Sequence, residues 1–134
     1  MRLVLPALAA AVLAAALAAP ADAARARPLA SYCSPSGDLC FGVIDRTGAV
    51  YLELSTFARY FGRYRLCVRS PGAAAERCGS YPIRRRGRLW GSSIKFARQF
   101  PNVGPGIYRV TWRLGADRLG PTLRFRLPLR RAAR

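Results

Sequence analysis

The sequence predicts an all-β fold: a seven-stranded antiparallel sandwich clipped by two disulfides and preceded by a signal peptide. Three observations carry that expectation. Short apolar runs separated by turn residues recur at nearly regular spacing from Leu39 onward, as in sandwiches and barrels. Four cysteines sit in a chain of 134 residues that has no histidine. The opening stretch MRLVLPALAAAVLAAALAAPADA has the form of an export leader.

Within that leader one basic residue, Arg2, precedes an apolar run from Leu3 to Ala19, and Ala21-Asp22-Ala23 supplies a small-x-small cleavage site. The run is alanine-rich, too short for a membrane span and without a basic stop-transfer flank. Residues 1–23 are therefore expected to be a cleaved signal peptide, placing the protein outside the cell or in the periplasm. Residues 24–38 form an N-terminal segment with a disulfide loop, 39–128 the sandwich domain, and 129–134 a basic tail. About 110 residues after cleavage suit one domain with a modest core.

The expected strands are Leu39–Ile44, Val50–Phe57, Tyr64–Arg69, Arg77–Ile83, Trp90–Phe96, Ile107–Leu114 and Thr122–Leu127. Turn chemistry lies between them: Asp45-Arg46-Thr47-Gly48, Ser70-Pro71-Gly72, Arg86-Gly87, the segment Pro101 to Gly106, and Gly115 to Pro121. The stretch FARYFGRY, Phe57–Tyr64, reads as a loop or a single turn because it is short and contains Gly62.

The last two strands alternate most cleanly. Tyr108, Val110, Trp112 and Leu114 fall on one side of IYRVTWRL, with Arg109, Thr111 and Arg113 on the other. Leu123, Phe125 and Leu127 alternate likewise with Arg124 and Arg126. A period of two means one buried and one solvated face. A hairpin register pairing Trp112 with Leu123 and Val110 with Phe125 keeps the whole apolar set inward.

Gly106-Ile107-Tyr108-Arg109-Val110 resembles the tyrosine-corner strand of immunoglobulin-like domains, with Val110 where antibody domains carry their second cysteine. The likeness implies a phenol hydroxyl bonded to backbone a few residues upstream, and the third, sixth and seventh strands in one sheet. More broadly, CSPSGD, LCV, FP-x-x-GPG-x-YRVTW and LGP-x-L-x-F make the chain similar to small secreted immunoglobulin-like β-sandwich proteins of high-GC bacteria. That resemblance implies a fold and brings no activity with it. Neocarzinostatin-type carriers are a looser likeness in size and disulfide style, but they are acidic and none of their binding residues is recognisable here.

The cysteines read as structural. No CxxC motif is present, and without histidine the spacings give no zinc knuckle. Cys67 and Cys78 fall opposite each other in a hairpin, where a cross-strand bridge is reasonable, leaving Cys33 to pair with Cys40. Loops this short stabilise by roughly 2.5–3 kcal/mol each on the chain-entropy model.

Catalysis finds no residues to carry it. The usual base is missing, and Asp38, Asp45, Glu53, Glu76 and Asp117 are scattered over different turns and strands. Asp38 and Asp45 are better explained as turn residues bonding local backbone. The protein is expected to be no enzyme and to need no cofactor or metal.

Charge is the remaining signal. The net charge is +17, unchanged by loss of the leader because Arg2 and Asp22 leave together. Lys95 is the one lysine, a preference that codon usage in a GC-rich genome accounts for, whereas the shortage of acids is not so explained. Arg65, Arg69, Arg109, Arg113, Arg124 and Arg126 should share one outward sheet face, with Arg109 opposite Arg126. Solvated arginines that discourage aggregation are the plain reading of such a face. The functional reading is a non-catalytic module for an anionic envelope polymer or an acidic protein surface. A carrier of a small apolar ligand and a spacer without a ligand site are the alternatives. Nucleic acid ranks below these, since export argues against it and no aromatic platform lies among the outward arginines. The runs at Arg84–Arg88 and at both termini read as solvated loops or arms, and the chain as a monomer.

Overall fold

The structure is a computed structural model and describes residues 25–130. The expected signal peptide, 1–23, lies outside the described residues, as do residues 131–134 of the expected basic tail at 129–134. Two antiparallel sheets pack face to face. One orders the strands β1 (Ala26–Cys33), β2 (Leu39–Arg46), β3 (Ala49–Thr56), β7 (Leu89–Lys95) and β6 (Arg84–Arg86). The other orders β10 (Leu123–Leu127), β8 (Gly106–Leu114), β4 (Arg63–Arg69) and β5 (Arg77–Pro82), with the two-residue β9 (Asp117–Arg118) beside β8. We call these the first and second sheets.

The expected all-β sandwich is therefore present, with ten strands among the described residues instead of seven. The third, sixth and seventh expected strands (now β4, β8 and β10) share a sheet, and β5 joins them. Each addition has a local cause. β1 pairs with β2 along the edge of the first sheet, and its register shifts between Pro28 and Ala30. Proline lacks the donor a central strand needs, so an edge with a bulge is where it is tolerated. β5 and β6 are one run broken at Ile83, which turns into the core while the chain crosses from one sheet to the other. A short helical turn, α1 (Phe96–Gln99), replaces the expected end of the strand at Phe96.

The core is the sum of the inward rows. Phe41, Val43, Leu52 and Leu54 from the first sheet meet Tyr64, Leu66, Val68, Tyr108, Val110, Trp112 and Phe125 from the second, all buried. Trp112 stacks on Phe41 at 4.5 Å between ring centroids, and its indole N–H has no partner. Tyr64 reaches from the second sheet to the Ser92 hydroxyl in the first, and burial pushes its phenol up to about 12.

The tyrosine-corner geometry is present as well. The Tyr108 hydroxyl accepts from the Val103 N–H at 3.0 Å and lies 2.8 Å from the Gly104 carbonyl and 3.1 Å from Asn102 Oδ1, either of which takes its proton. These bonds fasten the 101–106 loop to the strand that follows it.

Both disulfides pair as expected, Cys33–Cys40 and Cys67–Cys78, and no cysteine is free. The first closes the β1–β2 hairpin over a turn in which the Gly37 N–H donates to the Ser34 carbonyl, with Gly37 at φ 77°. Small size, an all-β fold and two disulfides fit an extracellular location. Among the described residues no helix is long and apolar enough to cross a membrane.

Candidate anion-binding face

Alternation in β4, β8 and β10 buries one set of side chains and sends the other to the outer face of the second sheet. There the structure places all six arginines singled out by sequence. Their arrangement differs from the expected one. β10 pairs with β8 through Leu123–Val110 and Phe125–Tyr108, two residues from the register read off the sequence. The tight turn at Gly115, φ 62°, sets Leu114 opposite Asp117 and Arg113 opposite Arg118; the chain then gains two residues between Leu119, still bonded to the Trp112 carbonyl, and Leu123, which puts β10 in its observed register. A shift of two preserves which face is inward but changes every cross-strand partner. Arg109 thus lies opposite Arg124, and Arg126 opposite Ile107.

The result is two rows of like charge. Arg69, Arg109 and Arg124 sit side by side on three adjacent strands. Arg65, Arg113 and Arg118 form a second row across β4, β8 and β9. Four residues separate the rows along each strand, roughly 13 Å at strand rise. Between them runs a neutral row: Cys78, Cys67 and Thr111, with the Thr111 and Thr122 hydroxyls 2.8 Å apart. Directly opposed like charges destabilise a sheet by about 0.2–1 kcal/mol per pair.

One acid enters this face, and sequence reading did not anticipate it. Glu76, from the β4–β5 connection, receives Arg113 Nη2 at 3.2 Å. Its carboxylate lies beside the Cys67–Cys78 bridge. Arg113 is thereby occupied, whereas Arg65, Arg69, Arg109, Arg124 and Arg126 have no acidic partner among the described residues. Arg118 and Arg63 extend the face, the latter bonded to Ser80. Their alternation was legible in sequence for Arg63, while Arg118 sits in a stretch that reads as turn.

One further cluster of ligand-type atoms occurs among the described residues. Cys67, Glu76 and Cys78 bring ligand-type atoms within 4.8 Å, but both sulfurs are spent in the disulfide. Asp45 is held by Arg27 at 3.0 Å and caps the Gly48 N–H at 2.8 Å; Asp38 and Asp117 sit at turns. The carrier alternative asks for a deep apolar pocket. A groove of about 440 Å³ on the outer face of the first sheet, lined by Ile44, Ser55, Leu89, Trp90 and the Cys33–Cys40 bridge among others, is open to solvent. Compared with family models, with curated proteins and with solved structures, the chain matches none.

Proposed function

We propose that this protein is a non-catalytic exported module that holds an anionic envelope polymer against the outer face of the second sheet. The row Arg69–Arg109–Arg124 supports this reading most directly. Three guanidinium groups on adjacent strands, with no acid between them, cost stability in the free protein. A polyanion laid across both rows would relieve that repulsion and accept charge-assisted hydrogen bonds from each planar fork.

The experiment is retention on phosphocellulose in a salt gradient. Replacing Arg65, Arg69, Arg109, Arg124 and Arg126 with Gln should weaken binding on the order of a thousandfold, at about 1 kcal/mol per arginine near an anionic surface. A control with equal charge loss, at Arg25, Arg77, Lys95, Arg98 and Arg130, which lie outside the arginine rows, should fall far less. Equal loss in both would reduce the effect to net charge and sink the proposal.

A further inference from the structure

A different surface combines arginine with exposed aromatic rings. The β3–β4 connection crosses between the sheets at one end of the sandwich and carries FARYFG from Phe57 to Gly62. Of its three aromatics, Phe61 packs against the core, while Phe57 and Tyr60 are 61% and 56% exposed. Among the described residues the other aromatics are buried or half-buried, and Val103 and Leu114, the other large apolar side chains exposed, stand singly elsewhere in the sequence.

The loop is braced in that position. The Phe57 N–H donates to the Asp38 carbonyl at 3.1 Å, the Thr56 hydroxyl to the Ala58 carbonyl at 2.7 Å, and the Ile83 N–H to the Gly62 carbonyl at 3.0 Å. Beside it lies the β6–β7 hairpin, which presents Arg84, Arg85, Arg86 and Arg88, all exposed. Trp90 joins the two, pairing with Thr56 on one side and Arg85 on the other. Arg59 and Arg85 lie over its ring at 5.7 and 6.0 Å. Asp38 is the acid nearest the loop, and it contributes its backbone carbonyl.

We infer that this end of the sandwich docks on an anionic lipid bilayer, Phe57 and Tyr60 entering the interfacial region while Arg59, Arg84, Arg85, Arg86 and Arg88 meet the headgroups. Amphipathic aromatic rings favour the bilayer interface, and basic residues near an anionic leaflet add attraction that falls off within a Debye length. A purely ionic polymer would engage the arginines and leave Phe57 and Tyr60 in water, whereas the bilayer interface takes up both the rings and the charges. The surface is separate from the arginine rows of the second sheet and does not depend on them.

The two tryptophans make the docking readable. Trp112 is fully buried, so a change of emission on adding vesicles reports Trp90. Vesicles of phosphatidylcholine with phosphatidylglycerol should shift that emission to the blue, and brominated acyl chains should quench it. Phosphatidylcholine alone should do neither. Phe57→Ser with Tyr60→Ser should weaken vesicle affinity on the order of tenfold, and Gln at Arg84, Arg85, Arg86 and Arg88 on the order of a thousandfold. The Trp112 signal serves as the check that each variant is folded. Equal affinity for both vesicle types would overturn the inference. So would unchanged binding in the Phe57/Tyr60 variant. Loss of vesicle binding only in the five-arginine variant of the second sheet would also overturn it, by moving the contact to that face.

Discussion

The two outer faces of this sandwich solve the same charge problem in opposite ways. On the first sheet, Glu53 lies in the middle of the face and takes Arg46 at 2.7 Å and the Ser93 hydroxyl at 3.1 Å. Its neighbours Ser31, Gly42, Ser55 and Gly91 are small. On the second sheet, arginine faces arginine across two rows, and a single carboxylate reaches in from a loop. The central strands of both sheets, β3 and β8, alternate inward and outward residues, so alternation alone does not require the difference. A sheet that needed only solubility could set an acid within a strand among its cations, as the first one does with Glu53. Segregating the positive charge carries a stability cost that a polyanion would offset.

The largest expected effect concerns the clasp between these sheets. Tyr64 is protonated in the folded state up to about pH 12, because burial disfavours the phenolate. An exposed tyrosine in the unfolded chain loses its proton near pH 10. Above that value the unfolded state binds fewer protons, so stability falls as pH rises, by about 1.4 kcal/mol per unit until the folded value is passed. Tyr64→Phe lacks this dependence. It should start about 1 kcal/mol less stable at neutral pH through loss of the Ser92 bond, then close the gap and overtake the wild type as pH climbs. Denaturant midpoints measured across that range check this. A constant gap would show that the phenol is solvated and the clasp absent.

Smaller effects separate the faces themselves. Glu53→Gln should lower stability by about 0.5–1 kcal/mol and leave Arg46 without its ion-pair partner, with little change in phosphocellulose retention beyond that of one charge. Glu76→Gln should cost about 0.5 kcal/mol or less, yet raise retention more, because it releases Arg113 into the binding face. The same retention gain from both substitutions would erase the distinction between the sheets.

Sequence made some of this legible and hid the rest for physical reasons. β8 and β10 alternate over several residues, so their inward and outward sets were plain, and Tyr108 with its upstream glycines foretold the corner. The Cys67–Cys78 bridge followed from one hairpin, and Cys33–Cys40 from the two cysteines that remained. β1 was hidden because Pro28 and its bulge break the alternation, and β6 because three successive arginines show none at all. The arginine rows required a register, and register depended on a turn whose tightness at Gly115 the residues did not announce. Glu76 sits in a connection whose path no periodicity describes, so its contact with Arg113 could be seen only in three dimensions.

The most direct test uses one substitution in the centre of the first arginine row. Arg109 faces Arg69 on one side and Arg124 on the other. If the row is kept for a polyanion at the expense of the free fold, Arg109→Gln should raise stability by about 0.5 kcal/mol at low salt. The gain should shrink as salt screens the repulsion. The same variant should elute earlier from phosphocellulose. A variant that is less stable at every salt concentration, with unchanged elution, would mean that Arg109 serves the fold as a solvated cover and that no anion site exists there.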